Sequence, residues 1–457
     1  MLSASETIAA FAADLRFDAL PAPVVAKVKL HVLDLLGVAL AASSMDFAPA
    51  VANVAKGMGG PPESTAIGLC ERLPAPWAAL VNGTLAHGLD YDDTHAESVV
   101  HVSASAVPAA LAACEAAGGD GRSCLTALAL GMEVSVRLGL VAPGAFHDRG
   151  FHPTGVCGAF GAALIAGKLA GLSSAQLADA LGVAGSQAAG LMEFLTDGTS
   201  VKRLHPGWAA HSGLVAARLA AAGVTGPRGV LDGRFGLYRS HLGDGEWNLA
   251  VLTSGLGTHW HLLNISLKPY PCCHMNHAFI DCAAALQAEH ALTPEAIEQV
   301  ECFIHPREVP VVCEPLATKL VPQNDYDAKF SLPYAVASQL VRGHVAIDDF
   351  TVAAIRERAV LALAQRVVYR EDARNEYPRY FPGWMRLRLR DGRVLEHREP
   401  INRGHAERPL SADAVRDKFR RNAALAISPA AAEALTEAVA SIERQPDLSP
   451  VAAPLRP

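Results

Sequence analysis

The sequence predicts a mainly α protein: a large all-helical domain (1–265) interrupted by a smaller α+β domain (266–405), with C-terminal helices (406–457) returning to the first. Three observations predict it. Of the 457 residues, 51% are hydrophobic but only 6% aromatic, so Ala, Leu, Val and Gly on closely packed helices must fill the core. From Pro21 to Gly257 apolar residues recur at spacings of three and four between glycine-rich breaks. After Trp260 short alternating runs appear between helical stretches, and after Pro409 the pattern reverts to helix.

In chain order, Val28, Val32, Leu35, Leu36 and Ala39 mark one apolar helix face. Gly118-Gly119-Asp120-Gly121, Asp197-Gly198-Thr199 and Thr225-Gly226-Pro227 are breaks, and Ser173 with Gln176 forms a capping box that opens a helix through Ala189. Pro153 to Leu172 is apolar enough to resemble a membrane span, but Lys168 and several glycines predict a buried core helix. Trp260 to Leu267 and Gln299 to Ile304 predict strands. Met385 to Leu389 alternates strictly, and Asp391-Gly392 predicts a hairpin returning through Val394 to Arg398. Helices are expected at Asn276 to Glu289, from Thr293-Pro294 onward, and at Leu332 to Val341. Ser411 is an N-cap for 412–424, a further helix covers 429–443, and the tail from Gln445 is expected to fray.

The net charge of −7 comes without a basic run or interleaved aromatics, which excludes nucleic acid as a partner. Nine cysteines without a CxxC pair or zinc spacing read as reduced thiols. Glu6, Asp14 and Arg16 interrupt the N-terminus where a secretory signal needs an apolar core, so a cytoplasmic protein without a membrane partner is expected.

The stretch from His87 to His95, with His101, gathers three carboxylates and three imidazoles in fifteen positions. Neighbouring carboxylates repel and lose solvation on burial, so such a cluster persists where a ligand, metal or proton transfer uses it. It is the candidate active site. Three more polar groups, Phe151 to Gly155, Ser200 to Pro206 and Lys268 to His274, also precede expected helices. Cations and imidazoles at helix starts are unfavourable unless an anion arrives, which points to a carboxylate or phosphate site, and no phosphate-binding glycine pattern favours the latter. Taken singly these residues are ordinary: a lysine such as Lys268 after a strand is usually solvated, His152 and His205 before prolines fit loops, and His274 and His277 fit a solvent face. Asp92-Asp93 with Glu97 resembles a Mg²⁺-diphosphate motif of terpene synthases. The second motif, the aromatic walls and any Glu-x-x-His or His-x-x-x-His pair are missing, so no metal and no cofactor is expected.

At these clusters the chain resembles the MmgE/PrpD family, which includes 2-methylcitrate dehydratase, cis-aconitate decarboxylase and iminodisuccinate epimerase. The likeness rests on Asp90 to Thr94 with His101, Phe151 to Gly155, Asp197 to Thr199 through Lys202 to Gly207, Arg234-Phe235-Gly236, and Lys268 to Pro271. It implies a helical domain with an inserted lid domain, a homodimer, and a cofactor-independent site for a small anionic di- or tricarboxylate. The positions it implies for the site are Asp90, Thr94, His101, His152, Lys202 and Lys268. Where the decarboxylase pattern has His, this chain has Cys273, with His274 displaced by one; Val102 follows His101 where the family commonly has proline. His101 is expected to be the general acid/base, with Asp90 orienting its ring; Lys202 completes the catalytic set. Thr94, His152, Lys268 and Cys273 line the substrate. The reading is a hydro-lyase like 2-methylcitrate dehydratase. Its alternatives are an epimerase, then a decarboxylase, and outside enzymes a catalytically silent dicarboxylate-binding protein.

Overall fold

A computed structural model describes residues 2–456. Its helical part begins with α1 (Ala4–Asp14), opened by a capping box between Ser3 and Glu6, and continues through α2 (Ala22–Ser43), α3 (Ala75–Gly88), a two-residue strand β1 (Thr94–His95), α4 (Ser103–Ala117), α5 (Gly121–Leu140), α6 (Pro153–Leu169), α7 (Ser174–Gly185) and α8 (Val201–Ala221). The predicted box between Ser173 and Gln176 caps α7, which ends at Gly185 rather than Ala189. Helix α5 is long and apolar enough to cross a membrane, yet nearly all of it is buried within this fold. The run from Pro153 is likewise a core helix.

Small residues set how closely these helices approach. A Cβ on Gly83 of α3 would lie 2.5 Å from the Gly207 Cα of α8, and one on Gly207 would lie 2.3 Å from the Leu80 carbonyl oxygen. Backbone therefore meets backbone at this crossing, which places the C-terminal end of α3 beside the first turn of α8.

Trp260 to Leu267 is not the expected strand. His261–Asn264 forms a 3₁₀ turn and only Ile265–Ser266 (β2) is extended, paired antiparallel with β1. The buried Glu133 carboxylate accepts the Leu262 N–H at 2.9 Å, and this tertiary bond overrides local strand propensity. Beyond it lie α9 (His277–His290), β3 (Ile297–Ile304), α10 (Leu332–Arg342), β4 (Val367–Glu371), β5 (Gly383–Leu389) and β6 (Val394–Glu399). The helix expected from Thr293 is a single 3₁₀ turn that runs into β3. The sheet order is β4-β3-β5-β6, with β3 and β4 parallel and the other pairs antiparallel. The predicted hairpin is present, with Gly392 at φ 86 in its turn. Strand β4 escaped the sequence reading: Val367 to Glu371 is short and half exposed, without clean alternation.

The molecule is thus mainly α, with one hydrophobic core in the helices and another between the sheet, α9 and α10. Helices α11 (Ala412–Ala423, capped by Ser411) and α12 (Pro429–Ala440) follow, and α11 packs on α2. Through Arg456 the tail does not fray; Pro457 lies outside the described residues. Leu448, Val451 and Leu455 are buried, and the Gln445 and Leu455 carbonyls accept the Gly121 and Gly68 N–H groups at 3.0 and 2.9 Å.

Candidate active site

Helix α3 ends at Gly88, and two residues later Asp90 takes a left-handed conformation, φ 52, which turns the chain back into the helical core. Val99, in the same loop, has φ 55 although it is β-branched. Strain of this kind costs about 1–3 kcal/mol per residue and collects at functional sites. The β1–β2 ladder ties the loop to the segment that begins at Leu267, pairing Thr94 with Ser266.

Asp90 is the hub. Its Oδ1 accepts from Lys202 Nζ at 2.5 Å, its Oδ2 from Lys268 Nζ at 3.1 Å, and its main-chain oxygen from Lys268 Nζ at 2.8 Å. Burial opposes ionisation of Asp90, but the two ammonium groups outweigh it and hold the carboxyl well below its usual range. For Lys268 burial favours the neutral amine, yet Asp90 and Asp92 prevail and raise its pKa. Lys268 is 0% exposed, so the reading of an ordinary solvated lysine is excluded. Lys202 lies inside α8 rather than before it, because pairing with Asp90, and of Arg203 with Gly88 O and Asp325, fixes that first turn.

The carboxylate that orients His101 is Asp92, not Asp90. Asp92 Oδ2 lies 2.8 Å from His87 Nδ1 and 3.3 Å from His101 Nδ1, and Thr94 Oγ1 is also 3.3 Å from His101 Nδ1. The His101 main-chain N–H donates to Thr154 Oγ1 at 3.0 Å. Two influences compete: charged imidazoles would hold Asp92 ionised, whereas burial strips both rings of their second proton. Burial, reinforced by Lys268 and Lys202, lowers the His101 pKa against the pull of Asp92, and His87 falls to about 3. Neutral rings satisfy the geometry. A neutral His87 can donate Nδ1–H to an ionised Asp92, while His101 Nδ1 stands within reach of both Asp92 Oδ2 and Thr94 Oγ1.

His152 stands at the N-cap of α6, and its Nδ1 faces His205 Nδ1 at 3.0 Å, so one ring donates and the other accepts. Burial drives His152 well below its usual pKa and His205 to about 4. A cavity of 510 Å³ lined by Leu191, Phe194, Val201, Leu204 and Trp208 reaches His205, and His101, with its side chain 12% exposed, is the most open of the cluster imidazoles. Cys273 is buried, and burial together with Asp90 pushes its thiol up to about 11, so at neutral pH it is a neutral wall group. His274 is buried too, but its Nε2 is engaged with Asn402 Nδ2 at 2.9 Å; His277, also buried, bonds the Cys272 carbonyl oxygen. Neither faces solvent.

Several residues of the site were not singled out from sequence. His87 stands in the recognised stretch, yet nothing in its spacing shows that Nε2 is buried without a partner, as is one oxygen of Asp92. His31, which bonds Asp93, and Lys418, which pairs with the buried Asp34 at 2.9 Å and gives the Tyr91 carbonyl an N–H at 2.9 Å, come from far along the chain with no local signal. The fold also assembles what the spacing did not predict: His87, His101 and His152 hold ligand-type atoms within 4.8 Å of one another, as do His87, Asp90 and Asp92. The second set is occupied, since both Asp90 oxygens bind lysines. In the first set each Nδ1 already has a polar partner: Asp92 for His87, Thr94 for His101 and His205 for His152.

What the arrangement can do is move a proton near an anion. Two lysines and two aspartates balance, so an arriving carboxylate would find neutral imidazoles whose proton affinity it raises.

The chain matches the MmgE/PrpD N-terminal domain over residues 6–250 and the MmgE/PrpD C-terminal domain over 270–444. It is 30% identical to cis-aconitate decarboxylase of Homo sapiens, over 98% of this chain and 93% of that protein. It is 28% identical to the same enzyme of Mus musculus (98% and 92%) and 26% to that of Aspergillus terreus (96% and 93%). Two matched domains in order and likeness along nearly the whole length admit one conclusion about ancestry: the chain belongs to the MmgE/PrpD family.

Proposed function

We propose that this protein is a cofactor-independent lyase acting next to a carboxylate of a small di- or tricarboxylate, with His101 as the proton-transferring group. The observation that carries the reading is that His101 Nδ1 lies 3.3 Å from both Asp92 Oδ2 and Thr94 Oγ1; with Nδ1–H turned to that pair, Nε2 is left as a base of lowered pKa beside two buried ammonium groups. Removing a proton from a carbon next to a carboxylate builds enolate-like charge. Lys202 and Lys268 stabilise it electrostatically, His152 and Thr94 contribute hydrogen bonds, and once protonated His101 returns its proton to the leaving hydroxide or to the carbon. The first reading of the branch is loss of water from a 2-hydroxy acid, as in 2-methylcitrate dehydratase, because a thiol and not an imidazole stands at position 273. A second reading, loss of carbon dioxide from a cis-aconitate-like tricarboxylate, is favoured by the activity named for the full-length relatives.

The test is direct. Purified protein is incubated with 2-methylcitrate, cis-aconitate and iminodisuccinate, and products are followed by NMR: dehydration, decarboxylation and epimerisation each leave a distinct product. Tight binding of these acids with no turnover of any would support the silent binding protein instead.

A further inference from the structure

The reacting groups are cut off from bulk water. His87, Asp90, His152 and Lys268 are at most 1% exposed, so a proton taken by His101 needs a route out once substrate covers that ring. His205 offers one. It lies in the second turn of α8, is 9% exposed, and lines the 510 Å³ cavity beside Phe194, Leu204 and Trp208. Glu193, Asp197 and Thr199, all exposed, line the same cavity and keep it wetted.

Both ends of the ring are placed for a hand-off. His205 Nδ1 lies 3.0 Å from His152 Nδ1, with the ring centres 5.2 Å apart. His152 in turn brings a ring nitrogen within 4.8 Å of one on His101 and one on His87. The outer nitrogens differ in access. His87 Nε2 is sealed from solvent, whereas Nε2 of His152 and of His205, which no group bonds among the described residues, is not. A neutral imidazole accepts a proton at one nitrogen and releases one from the other, so two bonded rings with open outer ends form a path for protons. We infer that His205 is a proton relay, acting through His152, that exchanges the proton held at His101 with water in the cavity. This rests on the proton transfer proposed above for His101. Outward, protonated His101 gives its proton to His152 Nε2, the His152 Nδ1 proton passes to His205 Nδ1, and the His205 Nε2 proton is released to water. Inward the steps reverse, so a round trip restores both tautomers and replaces the abstracted proton by one from solvent.

The rate at which deuterium from D₂O reaches product or recovered substrate, followed by NMR at low buffer concentration, tests this on the parent, His205→Asn and His205→Ala. Asn keeps a hydrogen-bonding atom at the place of Nδ1 and so still orients His152, but it has nothing to pass a proton through. In both variants deuterium delivery should fall by about tenfold. Added imidazole should enter the cavity of His205→Ala and restore delivery, whereas pyrazole, equal in size but far too weak a base, should not. Delivery at the parental rate in His205→Asn, or equal restoration by pyrazole, would overturn the relay and leave His205 as a support for His152. If the parent turns over none of the three acids, the reaction reading fails, and the relay is decided on substrate-free protein labelled with ¹⁵N-histidine. The proton shared by His152 and His205 should then exchange with water fast enough for saturation transfer; a proton that persists for minutes overturns the relay.

Discussion

In the proposed reaction His101 carries the proton, on a ring held at Nδ1 beside Asp92 and Thr94. If it transfers the proton, His101→Asn should lower kcat by roughly 10²–10⁴-fold while KM and the melting temperature change little. Asn is also a good helix cap, so unaltered turnover would mean that the imidazole serves only the start of α4. The lysines call for a different expectation. Asp90→Asn strips two buried ammonium groups of their counter-charge and should destabilise the fold by about 3–5 kcal/mol, read as a shifted urea midpoint at constant slope. Lys268→Ala should abolish most activity yet cost less stability, because Lys202 still neutralises Asp90. Equal stability of Asp90→Asn and the parent would remove Asp90 from the centre of the network. At this scale the sequence was legible as to which residues assemble: Asp90, Thr94, His101, His152, Lys202 and Lys268 do converge. It named the wrong partner for the ring, Asp90 in place of Asp92, because which carboxylate turns to His101 depends on one left-handed residue that composition cannot reveal.

Elements position these groups through backbone contact. The α3–α8 crossing at Gly83 and Gly207 sets the distance between Asp90, just beyond α3, and Lys202, in the first turn of α8. Gly83→Ala must push the helices apart by the width of a methyl group, costing about 1–3 kcal/mol and lengthening the Asp90–Lys202 pair. The expected signature is a fall in kcat/KM larger than the stability loss explains, measured on protein still folded by circular dichroism. Wild-type kinetics in a folded variant would show that the crossing does not tune the site. Helices with caps, such as α7 and α11, and the hairpin of β5 and β6 were readable because their signals are local. The strand expected at Trp260 failed because a carboxylate more than a hundred residues away, Glu133, claims the Leu262 N–H. The tail was misread for the same reason: its order comes from α5 and the Gly68 loop, not from its own sequence.

At the scale of the molecule, the fold buries an unusual number of imidazoles in neutral form. Burial lowers His87 and His95 to about 3 and His205 to about 4, against an unfolded value near 6.5. The unfolded chain therefore binds more protons through this window, so stability is full above pH 6.5 and falls as the pH drops toward 3. Ionised Asp90, Asp92 and Asp93, with depressed pKa values, add a loss that begins below the unfolded carboxyl value of about 4. Thermal melts should show a falling midpoint from pH 6.5 to 4, and a flat profile there would mean that these rings are solvated. The mainly helical class was legible because the period of three and four persists over hundreds of residues; how the helical and sheet-bearing parts meet was not, since cavity walls are assembled from distant segments. Proton transfer by His101 at a carbon next to a carboxylate is read directly by NMR in D₂O with 2-methylcitrate, cis-aconitate and iminodisuccinate, comparing parent and His101→Asn. The parent should turn over one of them, with deuterium in the product or recovered substrate, and the variant should be slower by roughly 10²-fold or more; deuterium exchange at parental rate in His101→Asn would contradict a proton-transferring His101.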